Sequence, residues 1–187
     1  MAEEKWTEEE LITAAREGDH KALEELIKRY ESRVAATVIG MLGRCPEAED
    51  VGQETFIRFY KSLKKFRGES SLGTYLTRIA INLSLNELKR RRRRSSLFFQ
   101  KPMEEIGDIP DTRAEGHGHE DKEIVQQALQ KLDKKFRAVI VLRLIDGYSS
   151  EETARILDLP IGTVLSRLSR AQKKLKELLK PVYGDER

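Results

Sequence analysis

The chain has 187 residues, of which 39% are hydrophobic and 36% are charged, so its length allows one domain or two small ones. It has no run of about 18 apolar residues and no apolar stretch at the N-terminus, so we expect neither a membrane span nor a signal peptide. The one cysteine, Cys45, excludes an internal disulfide and is typical of proteins in a reducing cytoplasm.

Charge alternates along the chain, although the net charge is only +3. Residues 1–60 carry 8 Lys and Arg against 14 Asp and Glu, whereas residues 61–95 carry 11 against 2. Residues 96–121 are acidic again, with 2 against 7, and residues 122–187 carry 14 against 9. Clustered basic side chains are the electrostatic footprint of phosphate binding, so the two basic blocks predict contacts with nucleic acid.

Apolar residues at helical spacing predict a mostly helical segment over residues 8–95. Its third helix runs from about Glu47 to Leu63, with Ala48, Val51 and Phe59 on the face toward a core. The opposite face is mostly polar and consists of Asp50, Gln53, Glu54, Ile57 and Arg58. An apolar side chain among polar neighbours favours a protein partner, and a merely solvated face is the alternative. An acidic surface does not bind DNA.

A loop rich in Gly and Ser, Phe66–Tyr75, follows this helix and is flanked by aromatic residues. Such a loop can hold an unstacked base, because aromatic side chains stack on single strands. Residue type alone favours the other interpretation, in which Phe66 and Tyr75 are core aromatics and the loop is a plain connection.

The fourth helix, from about Leu72 to Arg94, has two apolar stripes and one polar strip between them. The strip consists of Arg78, Asn82, Asn86, Lys89 and Arg93. Arginine and asparagine bind base edges and phosphates well, so the strip predicts a nucleic-acid contact. The run Arg90–Arg94 either extends this strip or is a solvated charge run.

Residues 96–121 have no periodicity and are interrupted by Pro and Gly, which predicts a linker. His117 and His119 lie in it, far in sequence from Cys45, and this is too weak a pattern to predict a metal site. The chain contains no Walker phosphate loop, no G-x-S-x-G and no H-E-x-x-H, so we expect neither an enzyme nor a cofactor.

The segment from Tyr148 to Leu175 has the pattern of a helix-turn-helix. Ser149 and Glu152 have capping-box spacing, which predicts a helix from Ser150, and Pro160 suits the first turn of the next helix. That second helix has one apolar stripe: Val164, Leu168, Ala171, Leu175 and Leu178. Its other face carries cationic and hydroxyl side chains, namely Thr163, Ser166, Arg167, Arg170, Lys173 and Lys174. In a helix-turn-helix such a face enters the major groove, and an amphipathic helix with a solvated basic face is the alternative.

Together these patterns predict an all-α protein of two small helical domains. The first domain covers residues 1–95, the linker residues 96–121, and the helix-turn-helix domain residues 122–187.

Four of these motifs, in this order, closely resemble bacterial RNA polymerase sigma factors of the small extracytoplasmic-function (ECF) group. They are Ala48–Tyr60, Phe66–Ser70, Thr74–Asn82 and Pro160–Ala171. The resemblance covers nearly the whole chain apart from the linker and a few terminal residues. It implies a region 2 helical bundle followed by a region 4 helix-turn-helix.

The resemblance also implies partners and site residues. The acidic face of the third helix, Asp50, Gln53, Glu54, Ile57 and Arg58, would bind the largest subunit of core RNA polymerase. The basic face of the second helix of the helix-turn-helix would read the minus-35 promoter element. The linker would thread through the polymerase, and an anti-sigma factor would hold the protein inactive. Contacts with the minus-10 element and a flipped base would come from Ser70, Ser71, Thr74, Tyr75, Arg78, Asn82, Asn86, Lys89 and Arg93.

The chain departs from the family pattern at three positions. Tyr75 stands where Trp is common, and Ser169 and Gln172 stand where His or Ala and Arg are frequent. These departures affect promoter choice rather than class. Two other functions fit single motifs: a dimeric operator-binding regulator, and a helical adaptor with solvated basic faces. No heptad pattern for dimerisation accompanies the first.

Overall fold

The computed structural model of the protein describes residues 6–98 and 119–184, with side chains for residues 6–95 and 121–184. We call these the N-terminal and C-terminal segments. Within them every regular element is helical, which confirms the all-α prediction. The helices are Glu8–Glu17 (α1), His20–Leu42 (α2), Pro46–Ser62 (α3), Leu72–Phe98 (α4), His119–Lys131 (α5), Lys134–Ile140 (α6), Ser150–Leu157 (α7) and Ile161–Tyr183 (α8). A 3₁₀ turn, Leu63–Lys65, follows α3, and a π-helical turn, Val141–Ile145, follows α6.

Local chemistry accounts for the helix ends. Thr7 and Glu10 form a capping box at the start of α1, and Gly18 ends that helix with φ of 100°, a left-handed conformation that glycine adopts without strain. Asp19 then caps α2 by accepting hydrogen bonds from the backbone N–H groups of Lys21 and Ala22. Both ends of α1 and the start of α2 therefore lie where their own residues dictate.

The N-terminal segment packs α1, α3 and α4 around the long helix α2. The inner face of α3 is the predicted one, since Ala48, Val51 and Phe59 are all buried. The centre of this core consists of fully buried side chains, among them Leu26, Val34, Met41, Phe59, Leu72, Leu76 and Ile81. This packing holds α3 and α4 side by side, and it leaves the acidic face of α3 in solvent.

The C-terminal segment packs α8 against α5 and α6. The predicted apolar stripe of α8 forms this contact, with Val164 and Ala171 fully buried. Leu168, Leu175 and Leu178 lie half-buried against the cluster around Phe136 and Ile140. The stripe is therefore core, and it leaves the basic side of α8 outside.

The two segments also pack on each other, which the sequence did not predict. Val141, Leu142 and Tyr148 are buried within the same apolar cluster as the core of the N-terminal segment. At Gly40, an added Cβ would lie 2.9 Å from Val141 Cγ2, so glycine is needed for this close approach. Burying apolar surface between the segments stabilises the arrangement by about 25 cal/mol for each Å².

Polar contacts reinforce the same interface. Thr37 Oγ1 donates a hydrogen bond to Asp146 Oδ2 at 2.9 Å, and the buried Arg137 donates to the carbonyl oxygen of Met41 at 2.6 Å. Burial raises the pKa of Asp146 to about 6, against the opposing effects of the Thr37 hydrogen bond and the charge of Arg33. Burial likewise lowers the pKa of Arg137 to about 10.

The helices on both sides extend into the predicted linker. Helix α4 continues to Phe98, past the predicted domain end at residue 95, and α5 begins at His119, before the predicted start at residue 122. Residues 99–118, including His117, lie outside the described part of the chain. Among the described helices, none combines the length and apolar character that a membrane crossing requires.

Candidate DNA and protein interfaces

A cleft of about 580 Å³ opens where the loop after α3 meets the start of α4. Five predicted DNA-contacting residues line it together: Ser70, Ser71, Thr74, Tyr75 and Arg78. Lys65, Arg67 and Glu69 add charged side chains that were not predicted from the sequence. Glu152 and Arg155 of α7 also line the cleft, so the C-terminal segment reaches this site.

The cleft has an aromatic floor that is held in position. The rings of Phe66 and Tyr75 lie with their centroids 4.9 Å apart at an interplanar angle of 52°. Phe66 is buried, and the half-buried Tyr75 donates a hydrogen bond through its hydroxyl to Ser62 Oγ at 2.9 Å. Phe66 therefore belongs to the core, whereas Tyr75 has one part in the core and one part in the cleft.

Ser71 organises the start of α4. Its Oγ accepts a hydrogen bond from the backbone N–H of Thr74 at 3.2 Å and lies 2.9 Å from Thr74 Oγ1. This is the geometry of a helix N-cap, which satisfies a backbone donor that the helix itself leaves free. Both hydroxyl groups consequently sit at the edge of the cleft, with their positions set by the helix start.

The polar strip of α4 continues from the cleft along the helix surface. Its members Arg78, Asn82, Asn86, Lys89 and Arg93 are all exposed. At the N-terminal end of the strip, Arg78 Nη2 donates a hydrogen bond of 2.6 Å to the carbonyl oxygen of Arg155 in α7. In this arrangement one predicted DNA-binding side chain is held by the other segment.

The arginine run divides into two kinds of residue. Arg91 donates to the buried carboxylate of Glu87 and to Glu47 of α3, each at 3.3 Å, and also lies 3.0 Å from Cys45 Sγ. Arg90 pairs with Glu87 at 2.7 Å. Arg91 is half-buried and connects α4 to α3, whereas Arg90, Arg92, Arg93 and Arg94 are exposed. The sequence alone does not distinguish these two groups of arginines.

The outer face of α3 carries the predicted protein-binding residues. Asp50, Gln53, Ile57 and Arg58 are exposed, and the half-buried Glu54 pairs with Arg58 at 2.8 Å. Ile57 is 45% exposed. Tyr60 was not among the predicted residues, but it is 49% exposed and lies three residues after Ile57, so it shares this face. The i, i+3 spacing from Ile57 is the signal that would have identified it.

The helix-turn-helix forms as predicted, with one difference at the turn. Both hydrogen bonds of the Ser149–Glu152 capping box are present. Asp158 ends α7 in the left-handed region with φ of 52°. Pro160 occupies the N-cap position of α8 rather than its first helical turn, because its ψ of 140° is extended. The proline therefore ends the turn one residue before the helix begins.

The predicted groove-facing residues of α8 do not share one environment. Ser166, Arg170, Lys173 and Lys174 are exposed, whereas Thr163 and Arg167 are half-buried. Ser166 Oγ donates to the carbonyl oxygen of Thr163 at 3.0 Å. Lys174 Nζ lies 5.2 Å from the centroid of the Phe136 ring, within range of a cation–π contact. The accessible cations of the predicted set are therefore Arg170, Lys173 and Lys174.

Within the described residues, no three His, Cys, Asp or Glu side chains are grouped so that they could hold a metal ion. The features that these residues do form are a basic cleft and strip, an acidic face with apolar members, and a helix-turn-helix. They define a DNA-binding protein that also has a protein-binding surface.

Comparisons with known proteins identify the family. Residues 26–94 match the family model for Sigma-70 region 2, and residues 122–175 match that for Sigma-70, region 4. The chain is 33% identical over 193 residues to the ECF RNA polymerase sigma-E factor of Escherichia coli K12, covering 96% of this chain and 97% of that one. It is 32% identical over 187 residues to the RNA polymerase sigma-H factor of Pseudomonas aeruginosa, covering 95% and 96%.

Two solved structures share the fold. One is CnrH in complex with the cytosolic domain of CnrY, with a TM-score of 0.67 and 28% identity, covering 91% of this chain and 96% of that one. The other is the sigma factor RpoE in complex with the anti-sigma factor NepR from Bartonella quintana, with a TM-score of 0.70 and 26% identity, covering 89% and 99%. The chain belongs to the ECF sigma factors, which are transcription initiation factors and not enzymes.

Proposed function

We propose that this sigma factor uses three separate surfaces to bring core RNA polymerase to a promoter. The observation that carries this assignment is the cleft at the start of α4, where Ser70, Ser71, Thr74, Tyr75 and Arg78 converge. Residues from a loop and a helix start meet there and lead into an exposed polar strip. This supports a path for one DNA strand with a pocket for a single base.

The cleft and strip bind the minus-10 element. The hydroxyl groups of Ser71 and Thr74 stand at the rim of the cleft, and Tyr75 offers an aromatic surface that its Ser62 hydrogen bond holds in place. Stacking on such a ring contributes about 1–3 kcal/mol for each base. Along α4, Asn82, Asn86, Lys89 and Arg93 bind the backbone and bases of the separated strand.

The outer face of α3 binds the polymerase. Its exposed members Asp50, Gln53, Ile57 and Arg58 are joined by Tyr60, so that an apolar centre of Ile57 and Tyr60 is bordered by charge. Apolar and aromatic centres with polar rims are typical of protein–protein interfaces. The assignment to the largest subunit of core RNA polymerase follows from the family.

Helix α8 binds the minus-35 element in the major groove. Ser166, Arg170, Lys173 and Lys174 are accessible in this structure, and Thr163 and Arg167 flank them. Arginine binds guanine bidentately, and serine reaches bases or phosphates. The division into a domain of residues 1–95, a linker of residues 96–121 and a domain of residues 122–187 follows from these separate tasks.

Simultaneous binding of both elements requires the two segments to separate. Sites two duplex turns apart lie about 70 Å from each other, whereas Arg78 and Arg155 are in direct contact. The 20 residues from 99 to 118, which separate the ends of α4 and α5, reach about 65–70 Å when extended but only about 25 Å as a coil. The polymerase therefore has to hold the linker extended, and an anti-sigma factor can act by preventing this. All of these partners meet in the cytoplasm.

The proposal is tested by gel filtration with core RNA polymerase, followed by transcription from a library of promoters randomised in both elements. We expect a complex with core and the selection of two separate elements. If the protein does not bind core RNA polymerase, the proposed roles of these three surfaces are wrong. Tight binding of duplex DNA by the chain alone, with no effect of core, would indicate an autonomous regulator instead.

A further inference from the structure

Two large apolar side chains are exposed at the start of the DNA-reading helix. Ile161 is 43% exposed and Leu165 is 51% exposed, in the first two turns of α8. They are not part of the buried stripe of the helix, where Val164 and Ala171 are inaccessible to solvent. Their exposure gives up stabilisation that burial would provide, so they are candidates for contact with a ligand.

Their positions place them beside the polar residues of the groove-facing surface. Residues four apart are neighbours on a helix surface, about 40° apart around its axis, so Ile161 and Leu165 form a single apolar ridge. At 3.6 residues for each turn, Leu165 lies about 40° around the helix from Ser169, and Ser169 lies about 60° from Ser166 of the predicted groove-facing set. Both serines are exposed. The ridge is therefore one edge of the surface that enters the groove.

Charge around the ridge favours nucleic acid over a protein as its occupant. From Ile161 to Lys176 the helix has no Asp or Glu, and it has five basic residues: Arg167, Arg170, Lys173, Lys174 and Lys176. Such a surface attracts phosphates. The N-terminal part of the second helix in a helix-turn-helix is also the part that contacts base edges.

The major groove presents one apolar group, the C5-methyl of thymine. We propose that Leu165, with Ile161, contacts thymine methyl groups in the minus-35 element, so that this sigma factor selects thymine at one or two upstream positions. The inference rests on the proposed function, since it requires α8 to bind that element. It names a hydrophobic component of base reading in addition to the hydrogen bonds of Ser166 and Arg170.

Replacing thymine by deoxyuridine tests this directly, because it removes only the methyl group. The holoenzyme is first given a promoter library to define its minus-35 element, and each upstream thymine is then replaced singly by deoxyuridine. Binding is measured on a labelled promoter. We expect the parent to lose roughly fourfold in affinity at one or two positions, the equivalent of one buried methyl.

The variants assign the effect to a residue. Leu165→Ala should bind the thymine promoter more weakly and lose its response to deoxyuridine, whereas Leu165→Met, which keeps an apolar contact, should retain part of the response. Leu179→Ala is the control, because it removes an apolar side chain from the C-terminal half of the same helix. Circular dichroism and thermal unfolding check that each variant is folded.

The possible outcomes separate this proposal from the one on which it rests. If the selected minus-35 element has no thymine, or the parent binds it equally with deoxyuridine, thymine reading is wrong although α8 still binds the element. If Leu165→Ala keeps the full deoxyuridine response, another residue reads the methyl. If Leu165→Ala weakens the complex with core but not the deoxyuridine response, the ridge binds protein. If no upstream element is selected, the proposed role of α8 fails first.

Discussion

The hydroxyl of Tyr148 donates a hydrogen bond to Thr77 Oγ1 at 2.9 Å, and both residues are buried. Tyr148 lies just before the helix-turn-helix, and Thr77 lies in α4 between the residues of the cleft. Arg33 of α2 lies over the same tyrosine ring, 4.9 Å from its centroid. A single side chain therefore joins the C-terminal segment to two helices of the N-terminal segment.

Removing that hydroxyl should weaken the interface. Tyr148→Phe leaves Thr77 Oγ1 buried without this partner, so we expect the free energy of unfolding to fall by about 1–2 kcal/mol. Urea unfolding measures it. Tyr183→Phe is the matched control, because its hydroxyl donates to Asp121 at an exposed site and should matter by less than about 0.5 kcal/mol. An equal loss of unfolding free energy in the two variants would mean that the hydrogen bond to Thr77 stabilises the protein no more than the exposed one does.

Gly40 should not tolerate a side chain. The Cβ of Gly40→Ala would lie 2.9 Å from the buried Val141 side chain, so the segments must shift apart, at a cost of about 1–3 kcal/mol. At Gly52, also inside a helix, a Cβ meets nothing within 4 Å. Gly52→Ala should therefore stabilise the protein by about 0.5–1 kcal/mol. Thermal unfolding of both variants checks the opposite signs, and a stable Gly40→Ala would show that the interface can adjust.

Stability should depend on the protonation of Asp146. Burial raises its pKa to about 6, above the usual 3.8, so the folded state binds a proton more tightly than the unfolded state. Its contribution to stability is complete below pH of about 4 and is lost as the pH rises through about 6. Asp146→Asn keeps an acceptor for Thr37 without the charge. As the pH rises from 4 to 7, its free energy of unfolding should therefore increase by about 2 kcal/mol relative to that of the parent. Urea unfolding at several pH values tests this, and parallel curves would contradict it.

Charge reversal on α3 should affect polymerase binding and leave DNA reading intact. Asp50 is exposed, so Asp50→Arg should leave the fold unchanged. It replaces a negative charge of the proposed interface by a larger, positively charged side chain. We expect at least tenfold weaker competition for core RNA polymerase. Glu9→Arg, on the exposed side of α1, is the control for added positive charge. A variant that competes as well as the parent would show that this acidic face is not the docking surface.

Truncating basic residues of α8 should have the reverse effect. Arg170→Ala removes an exposed cation and should lower transcription from promoters that depend on the minus-35 element by roughly 10-fold or more, with affinity for core unchanged. Arg167→Ala should act in the same direction, although Arg167 is half-buried and its loss also removes packing. Transcription in vitro with and without the upstream element separates the two effects. Loss of core affinity in Arg170→Ala would count against a role confined to DNA.

Much of the local structure follows from short-range sequence patterns. The capping box at Ser149 and Glu152 and the apolar stripe through Val164 and Ala171 appear as predicted. The inner face of α3 is buried as its spacing indicated. These features depend on residues three or four positions apart, which a helix brings together whatever surrounds it.

Side-chain roles within a charged run were not predictable in the same way. Arg91 and Arg93 have the same chemistry and are two residues apart, yet Arg91 is half-buried and pairs with Glu47 of α3, while the side chain of Arg93 is exposed. The partner of Arg91 in α3 is 44 residues away in the chain. Only the packing of α3 on α4 decides that Arg91 is half-buried against α3.

The sequence by itself determined the helices, their buried faces, the helix-turn-helix and the family resemblance, because each depends on local spacing or on motif order. Tertiary structure alone decided that the loop residues share one cleft with Arg78, that the ridge of Ile161 and Leu165 is exposed, and that Tyr148 packs on Thr77. Those contacts join residues distant in sequence, and their formation depends on the shape of two packed surfaces. No local periodicity encodes that shape.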